Sequence, residues 1–375
     1  MRLDFVSNLD GTLTKAERSP LDIVFVVDVS GSMSCSLEDD SDRRSKLDIA
    51  KDCMRKIAEE LKPCDRVGLV SFNTAPTNIV DLSAATPANL TRLTNGITPL
   101  YASGGTELAR GLQGGYSQLL QNAGDCGDFR MKRVIFLTDM KSSSYDEDEV
   151  IALATSHATV PVQQQREEMS NSREVIQSRK RPAPANVTPP IHLTLVGVGV
   201  DLSVRAVERI SAIRGARYVS VVNATEFFAT VVADFNYDVT PIAFDIKVEL
   251  PSGWAFERIY GSAELNSVKP GAKHATVSSE FPVFLDNQGC THGGLYLCKL
   301  RRNNKVAVPA ECALLVSWTD PQGTRHSTST PVSIPGNASS LEDVDSGLRK
   351  AVALADYVTC LTAFGTDQEE VGTYI

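Results

Sequence analysis

The chain has 375 residues, 42% of them apolar, and a formal net charge of −9. That length exceeds one ordinary domain, and the apolar fraction supports a sizeable core. The negative balance argues against nucleic acid or an anionic membrane surface as the main partner. Eight cysteines, at 35, 53, 64, 126, 290, 298, 312 and 360, contain no CxxC pair, which fits neither a disulfide scaffold nor a zinc array. Cys290, His292, Cys298 and Cys312 can be assembled into a zinc site on paper, but buried or half-buried thiols are the favoured reading. Residues 1–7 lack the apolar core of a secretory signal and no apolar run reaches transmembrane length, so a cytoplasmic location is expected.

Residues 1–17 are short and polar, with Asp4–Val6 expected to add an edge strand. The stretch from Asn8 to Thr14 looks like the DxDGT loop of haloacid-dehalogenase-type phosphatases. Asn8 stands where that family has its nucleophilic Asp, however, and an amide cannot form an aspartyl-phosphate. A turn is the reading. Ile23-Val24-Phe25-Val26-Val27 is then a mostly β-branched run, as in a strand buried on both faces of a parallel sheet. It ends in Asp28, Ser30, Gly31 and Ser32. A carboxylate and two hydroxyls at alternate positions past a strand end can converge on one point. Such hard oxygen ligands suit Mg²⁺, Mn²⁺ or Ca²⁺ and not a thiolate metal. On these residues alone, a polar turn that caps backbone groups fits equally well.

Cys35–Asp42 is an acidic loop. Leu47, Ala50, Met54, Ile57, Ala58 and Leu61 mark an amphipathic helix that Pro63 ends. Val67–Phe72 is the next strand, and Asn73–Asp81 is expected to turn back as a hairpin to an edge strand. Thr86 caps a further helix, with Pro87 at its first position. Gly104-Gly105-Thr106 offers a hydroxyl where a Gly-rich loop enters a helix carrying Leu108, Leu112, Tyr116 and Leu119. Val134–Leu137 is a second buried strand, followed by Thr138-Asp139.

This order of strand–DxSxS, GGT and strand–TD resembles the von Willebrand factor type A domain with its metal-ion-dependent adhesion site. The resemblance implies that Asp28, Ser30, Ser32, Thr106 and Asp139 are the five coordinating positions, and all five residue types are present. It also implies that an Asp or Glu carboxylate of a protein partner replaces one water and completes the metal shell. The family commonly places Gly directly after the second Asp; here Met140 stands there.

Asp146–Ser156 reads as a helix. Gln163–Pro190 is longer than a strand–helix crossover needs and is read as an insertion, a charged helix followed by a loop, with Arg179-Lys180-Arg181 solvated. Ile191–Val198 and Tyr218–Val222 are strands, with one helix marked by Val204, Val207 and Ile210 and another by Phe227, Phe228, Val231, Val232 and Phe235. Residues 18–238 therefore predict an α/β fold, a doubly wound, mainly parallel sheet that binds ligands at the carboxyl ends of its strands. Asp28 and Asp139 fall there.

From Thr240 the pattern changes. Phe244, Ile246, Val248 and Leu250 alternate with polar residues, and turn signals recur at 251–253, 269–271, 288–289 and 320–323. Lys273–Ser278, Gly294–Arg301 and Ala313–Thr319 lie between them, which predicts an antiparallel β-sandwich of 239–338 with 1–17. These segments also resemble those of inter-alpha-trypsin-inhibitor heavy chains. Residues 339–375 are expected as a helix capped at Ser340, with Leu341, Val344, Leu348, Ala351, Ala355 and Val358 packing back on the chain.

The expected function is a divalent-cation-dependent protein-binding module, used for adhesion or as a scaffold, that holds Mg²⁺ (or Ca²⁺ or Mn²⁺) and is not an enzyme. The alternatives are a metal-dependent hydrolase and a structural subunit with a vestigial metal site. A hydrolase needs a positioned general base, and none of the histidines at 157, 192, 274, 292 and 326 adjoins a site loop in sequence. The intact five-residue set counts against a vestigial site.

Overall fold

The computed structural model describes residues 1–7, 9–10, 18–37, 44–121, 129–141, 144–159, 190–199, 204–221, 234–262, 264–265, 268–285, 291–292, 294–303, 312–332 and 346–372. The expected insertion at 163–190 except Pro190, the part of the aromatic helix at 227–232 and the cap at Ser340 lie outside these residues. The chain opens with β1 (Arg2–Asp4) and β2 (Leu21–Asp28), the latter running into one 3₁₀ turn at Gly31–Ser34. Then come α1 (Lys46–Glu59), β3 (Arg66–Phe72), β4 (Pro76–Ala84), α2 (Pro87–Ile97), α3 (Leu108–Gln121) and β5 (Met131–Thr138). They are followed by α4 (Ser144–Ala158), β6 (Ile191–Val198), α5 (Val204–Ser211), β7 (Arg217–Val221) and the short α6 (Phe235–Asp238). The remaining strands are β8 (Ala243–Glu249), β9 (Trp254–Tyr260), β10 (His274–Glu280), β11 (Phe284–Leu285), β12 (Thr291–His292), β13 (Leu295–Arg302), β14 (Cys312–Thr319) and β15 (Arg325–Val332). A long helix, α7 (Ser346–Gly372), follows them.

Six strands form the central sheet in the order β4-β3-β2-β5-β6-β7. All neighbours are parallel except β4, which pairs antiparallel with β3 as the edge strand expected after Phe72. Helices cover both faces, and this explains the continuous apolar runs. Ile23, Phe25 and Val27 enter the core shared with α1, whereas Val24 and Val26 enter the core shared with α3. Each strand residue must then be apolar or individually paired. β5 contains two polar exceptions, Lys132 and Arg133, buried within it and only partly paired, since Arg133 Nε and Nη2 have no hydrogen-bond partner among the described residues. Lys132 Nζ donates to Leu119 O at 3.3 Å, and Arg133 Nη1 to Thr194 Oγ1 at 2.9 Å.

The later strands make two larger antiparallel sheets, β1-β13-β9 and β10-β8-β14-β15, and a two-stranded one, β11-β12. The two larger sheets share a core that includes Ile246, Val248, Phe256, Ile259, Val277, Tyr296, Cys298 and Leu314, with Leu3 and Phe5 packed against it. β1 therefore joins the far end of the chain, Arg2 opposite Leu297 and Asp4 opposite Leu295. On α7, Ala355 is buried and Thr359 Oγ1 lies 3.1 Å from the Tyr260 hydroxyl, so the helix packs on β9. Among the described residues no helix is long and apolar enough to cross a membrane.

Candidate metal centre

β2 and β5 lie side by side at the centre of the sheet, and their carboxyl ends carry Asp28 and Asp139. In doubly wound sheets the crevice at such strand ends is where ligands enter. Asp28 is fully buried. One of its oxygens accepts from the backbone N–H of Ser30 at 2.8 Å and the other from Thr138 Oγ1 at 2.7 Å. Thr138 Oγ1 in turn accepts from Met140 N at 2.9 Å. Burial pushes the Asp28 carboxyl above its ordinary range, and the charge of nearby Asp139 adds to the rise against the pull of its hydrogen bonds.

The two serines link the carboxylates. Ser30 Oγ and Ser32 Oγ are 3.2 Å apart, and Ser32 Oγ donates to Asp139 Oδ1 at 3.1 Å. The structure thus gathers Asp28, Ser30, Ser32 and Asp139 in one hydrogen-bonded group. Thr106 sits on the adjoining loop, half-buried, and makes no hydrogen bond to the other four. Its loop is docked by backbone: Gly31 N donates to Gly104 O at 3.0 Å and Ser103 N to Val29 O at 2.7 Å. Gly104 has φ of 81°, and a Cβ there would come within 3.0 Å of Asn73 Nδ2, so glycine is needed at that point.

Three residues outside the expected set shape the site. Asp146 of α4 caps the start of α3, accepting from Leu108 N at 2.8 Å and Ala109 N at 3.0 Å. It moves the start of that helix to Leu108, two residues beyond Thr106, which was expected to open it. Met140 has φ of 53° and is buried, so it adopts the left-handed backbone that Gly commonly provides in this family. Lys46, the first residue of α1, donates from Nζ to Asp139 Oδ2 at 3.0 Å. The sequence signal for Lys46 was a cation at the edge of an apolar helix face, which ordinarily means a solvated side chain.

The donor set consists of hard oxygens from two carboxylates and neighbouring hydroxyls, which fits a hard dication. Among the described residues no three His, Cys, Asp or Glu side chains gather as a metal-binding group, so the hydroxyls carry much of the set. The paper zinc site finds no support from Cys298, which is a buried free thiol pushed up to about 11 by its burial. Cys290 and the side chains of His292 and Cys312 lie outside the described residues.

The family profile of the von Willebrand factor type A domain matches residues 23–141. No curated protein matches the chain. Among solved structures, the chain is similar to von Willebrand factor type A from Catenulispora acidiphila, at 13% identity and a TM-score of 0.53 over 85% of this chain and 67% of that one. It is also similar to the PilB minor pilin from Streptococcus sanguinis, at 16% identity and a TM-score of 0.40 over 59% of this chain and 62% of that one. A third similar structure is proximal thread matrix protein 1 from the mussel byssus with a zinc occupied MIDAS motif, at 15% identity and a TM-score of 0.39 over 60% of this chain and 49% of that one. At such identities the likeness is one of fold. The chain carries a von Willebrand factor type A domain.

Proposed function

We propose that the chain is a divalent-cation-dependent protein-binding module whose metal site is built from Asp28, Ser30, Ser32, Thr106 and Asp139. These residues would hold Mg²⁺, or Ca²⁺ or Mn²⁺, and the ion would supply a Lewis-acidic position for an Asp or Glu carboxylate of the partner. The observation that carries this reading is the buried pair, Asp28 and Asp139, bridged by serine hydroxyls at the carboxyl edge of the sheet. Burial, and to a lesser degree the charge of Asp139, disfavours the Asp28 carboxylate, and a hard dication relieves it. The chain's own residues do the positioning. Thr138 and the Ser30 backbone fix the Asp28 carboxylate, and the Gly31–Gly104 contact holds the Thr106 loop beside it. The likeness of the antiparallel sheets to those of inter-alpha-trypsin-inhibitor heavy chains is part of the same proposal.

Hydrolysis is the weaker reading because no described histidine serves the site. His157 stacks on Tyr116, His192 is buried against Phe244, His274 is exposed on β10, and His326 pairs with Asp320. A general base must lie within hydrogen-bond reach of the proton it takes.

The test compares wild type, Asp28→Ala, Asp139→Asn and Thr106→Ala, by pull-down in Mg²⁺ and in chelator, with circular dichroism of each. Asp139→Asn is preferred to Ala because it keeps an acceptor for the buried ammonium of Lys46. Asp28→Ala should fold and capture no more than wild type does in chelator. Thr106→Ala should be milder, since water can replace one neutral oxygen. A folded Asp28→Ala that retains every partner of the wild type would refute the proposal.

A further inference from the structure

Lys46 is built into the candidate site at some local cost. It occupies the first position of α1, after the capping residue Ser45, where the aligned backbone N–H groups disfavour a cation. Its side chain is nevertheless 5% exposed, and its partner Asp139 is fully enclosed. Three features hold it there. Lys46 N donates to Cys35 O at 2.8 Å and Ser36 bridges to Ser45, which ties the start of α1 to the loop carrying Ser30 and Ser32. Gly199, just past β6, has φ of 114°, and a Cβ there would lie 3.1 Å from both Cε and Nζ of Lys46. Asp139 is thereby divided: Oδ2 faces the ammonium, while Oδ1 accepts from Ser32 Oγ and, at 3.3 Å, from Lys141 N.

We propose that Lys46 is a built-in counter-charge that offsets part of the negative charge of Asp28 and Asp139, so that the dication-loaded site is more positive and draws in a carboxylate more strongly. This rests on the metal-dependent binding proposed above and names the residue that sets its electrostatics. Asp28 and Asp139 alone would neutralise a dication and leave only the coordinate bond to attract an anionic partner. With the ammonium present, the ion is held less tightly and the incoming carboxylate more tightly. Lys46 touches neither reactant directly; it is a positioning and charge-setting residue. A merely structural ion pair would not move the two affinities in opposite directions.

The experiment uses the full chain as wild type, Lys46→Met and Lys46→Gln, with Mn²⁺ alone as the probe, followed by electron paramagnetic resonance. Acetate is then titrated into the Mn²⁺-saturated proteins and read by water-proton relaxation. Removal of a unit charge beside a dication should tighten Mn²⁺ binding roughly tenfold or more, and weaken acetate binding severalfold. Lys46→Gln keeps a donor for Asp139 without the charge, and should behave like Lys46→Met. Mn²⁺ binding by a folded variant that is no tighter than wild type overturns the counter-charge while leaving the metal site standing. Failure of wild type to bind Mn²⁺ overturns both proposals. Failure of both variants to fold shows the ammonium to be a structural requirement and also overturns the counter-charge.

Discussion

Acidification should weaken this protein through one histidine far from the candidate metal centre. His192 lies on β6, 1% exposed. Its ring stacks on Phe244 of β8 at 5.1 Å and 16°, and the Arg214 guanidinium lies 3.9 Å from the centre of the other partner's ring, that of Phe244. His192 therefore sits where the parallel sheet meets the antiparallel sheets. Burial, with the charges of Arg133 and Arg214 as lesser causes, pushes it down to about 3, so it is neutral in the fold. In the unfolded chain it titrates at about 6.5. A depressed histidine contributes stability that is complete above the unfolded value and is lost as pH falls toward the folded one. At pH 5 the unfolded chain is mostly protonated at this position and the fold is not, which costs about 2 kcal/mol relative to pH 7. Buried carboxyls such as Glu280, pushed up chiefly by desolvation, act in the opposite direction, so total stability is a poor readout. The assay is urea unfolding of wild type and His192→Gln at pH 7 and pH 5. The wild type should lose about 2 kcal/mol more than the variant on acidification. An equal loss in both would refute the neutral buried state of His192.

Three further outcomes follow from packing. Gly115→Ala in α3 would place a Cβ 2.4 Å from Val26 Cγ2; despite the better helix propensity of Ala, stability should fall by about 1–3 kcal/mol, and an unchanged melting temperature would disprove the close approach. Asp65 accepts from Arg18 Nη1 at 3.0 Å and Nη2 at 2.6 Å, and from the N–H groups of Leu21 and Lys62. Both side chains of that ion pair are fully buried, so Asp65→Ala should cost about 3–5 kcal/mol in chemical denaturation, and a loss under about 1 would sink the argument. Deletion of residues 1–6 removes β1, the Cys298 N to Met1 O bond and the edge-on Phe5–Tyr296 contact. The truncated chain should melt lower and expose the Cys298 thiol to alkylation, mapped by mass spectrometry; protection equal to that of the full chain would show β1 to be a mere tail.

The parallel sheet was legible because strands covered on both faces leave an unbroken apolar signature, as in Ile23–Val27. Burial also hid part of it: β5 begins at Met131, but Lys132 and Arg133 disguise its first turn of pleat, so the sequence reading starts that strand at Val134. β15 escaped for the opposite reason. Its residues Arg325–Pro331 are all exposed, and its Ser/Thr-rich sequence carries no burial period to detect. At the candidate site, the motif positions were readable one by one, but their supports were not. Asp146 caps α3 from 38 residues away, and Lys46 reaches Asp139 across 93. No local rule links such pairs; only the crossover topology does.

Met140 shows how such a support can replace a local rule. A left-handed backbone at a residue with a Cβ costs roughly 1–2 kcal/mol, and glycine would avoid it. Here the Met140 side chain is buried in the core shared with α3 and α4, where a long apolar side chain contributes about 1.5–3 kcal/mol. Its N–H is also satisfied by Thr138 Oγ1, the hydroxyl that holds Asp28. The two magnitudes are comparable, so the core can offset the strain. The side chain that causes the strain thus anchors the loop after Asp139, and the position no longer requires glycine.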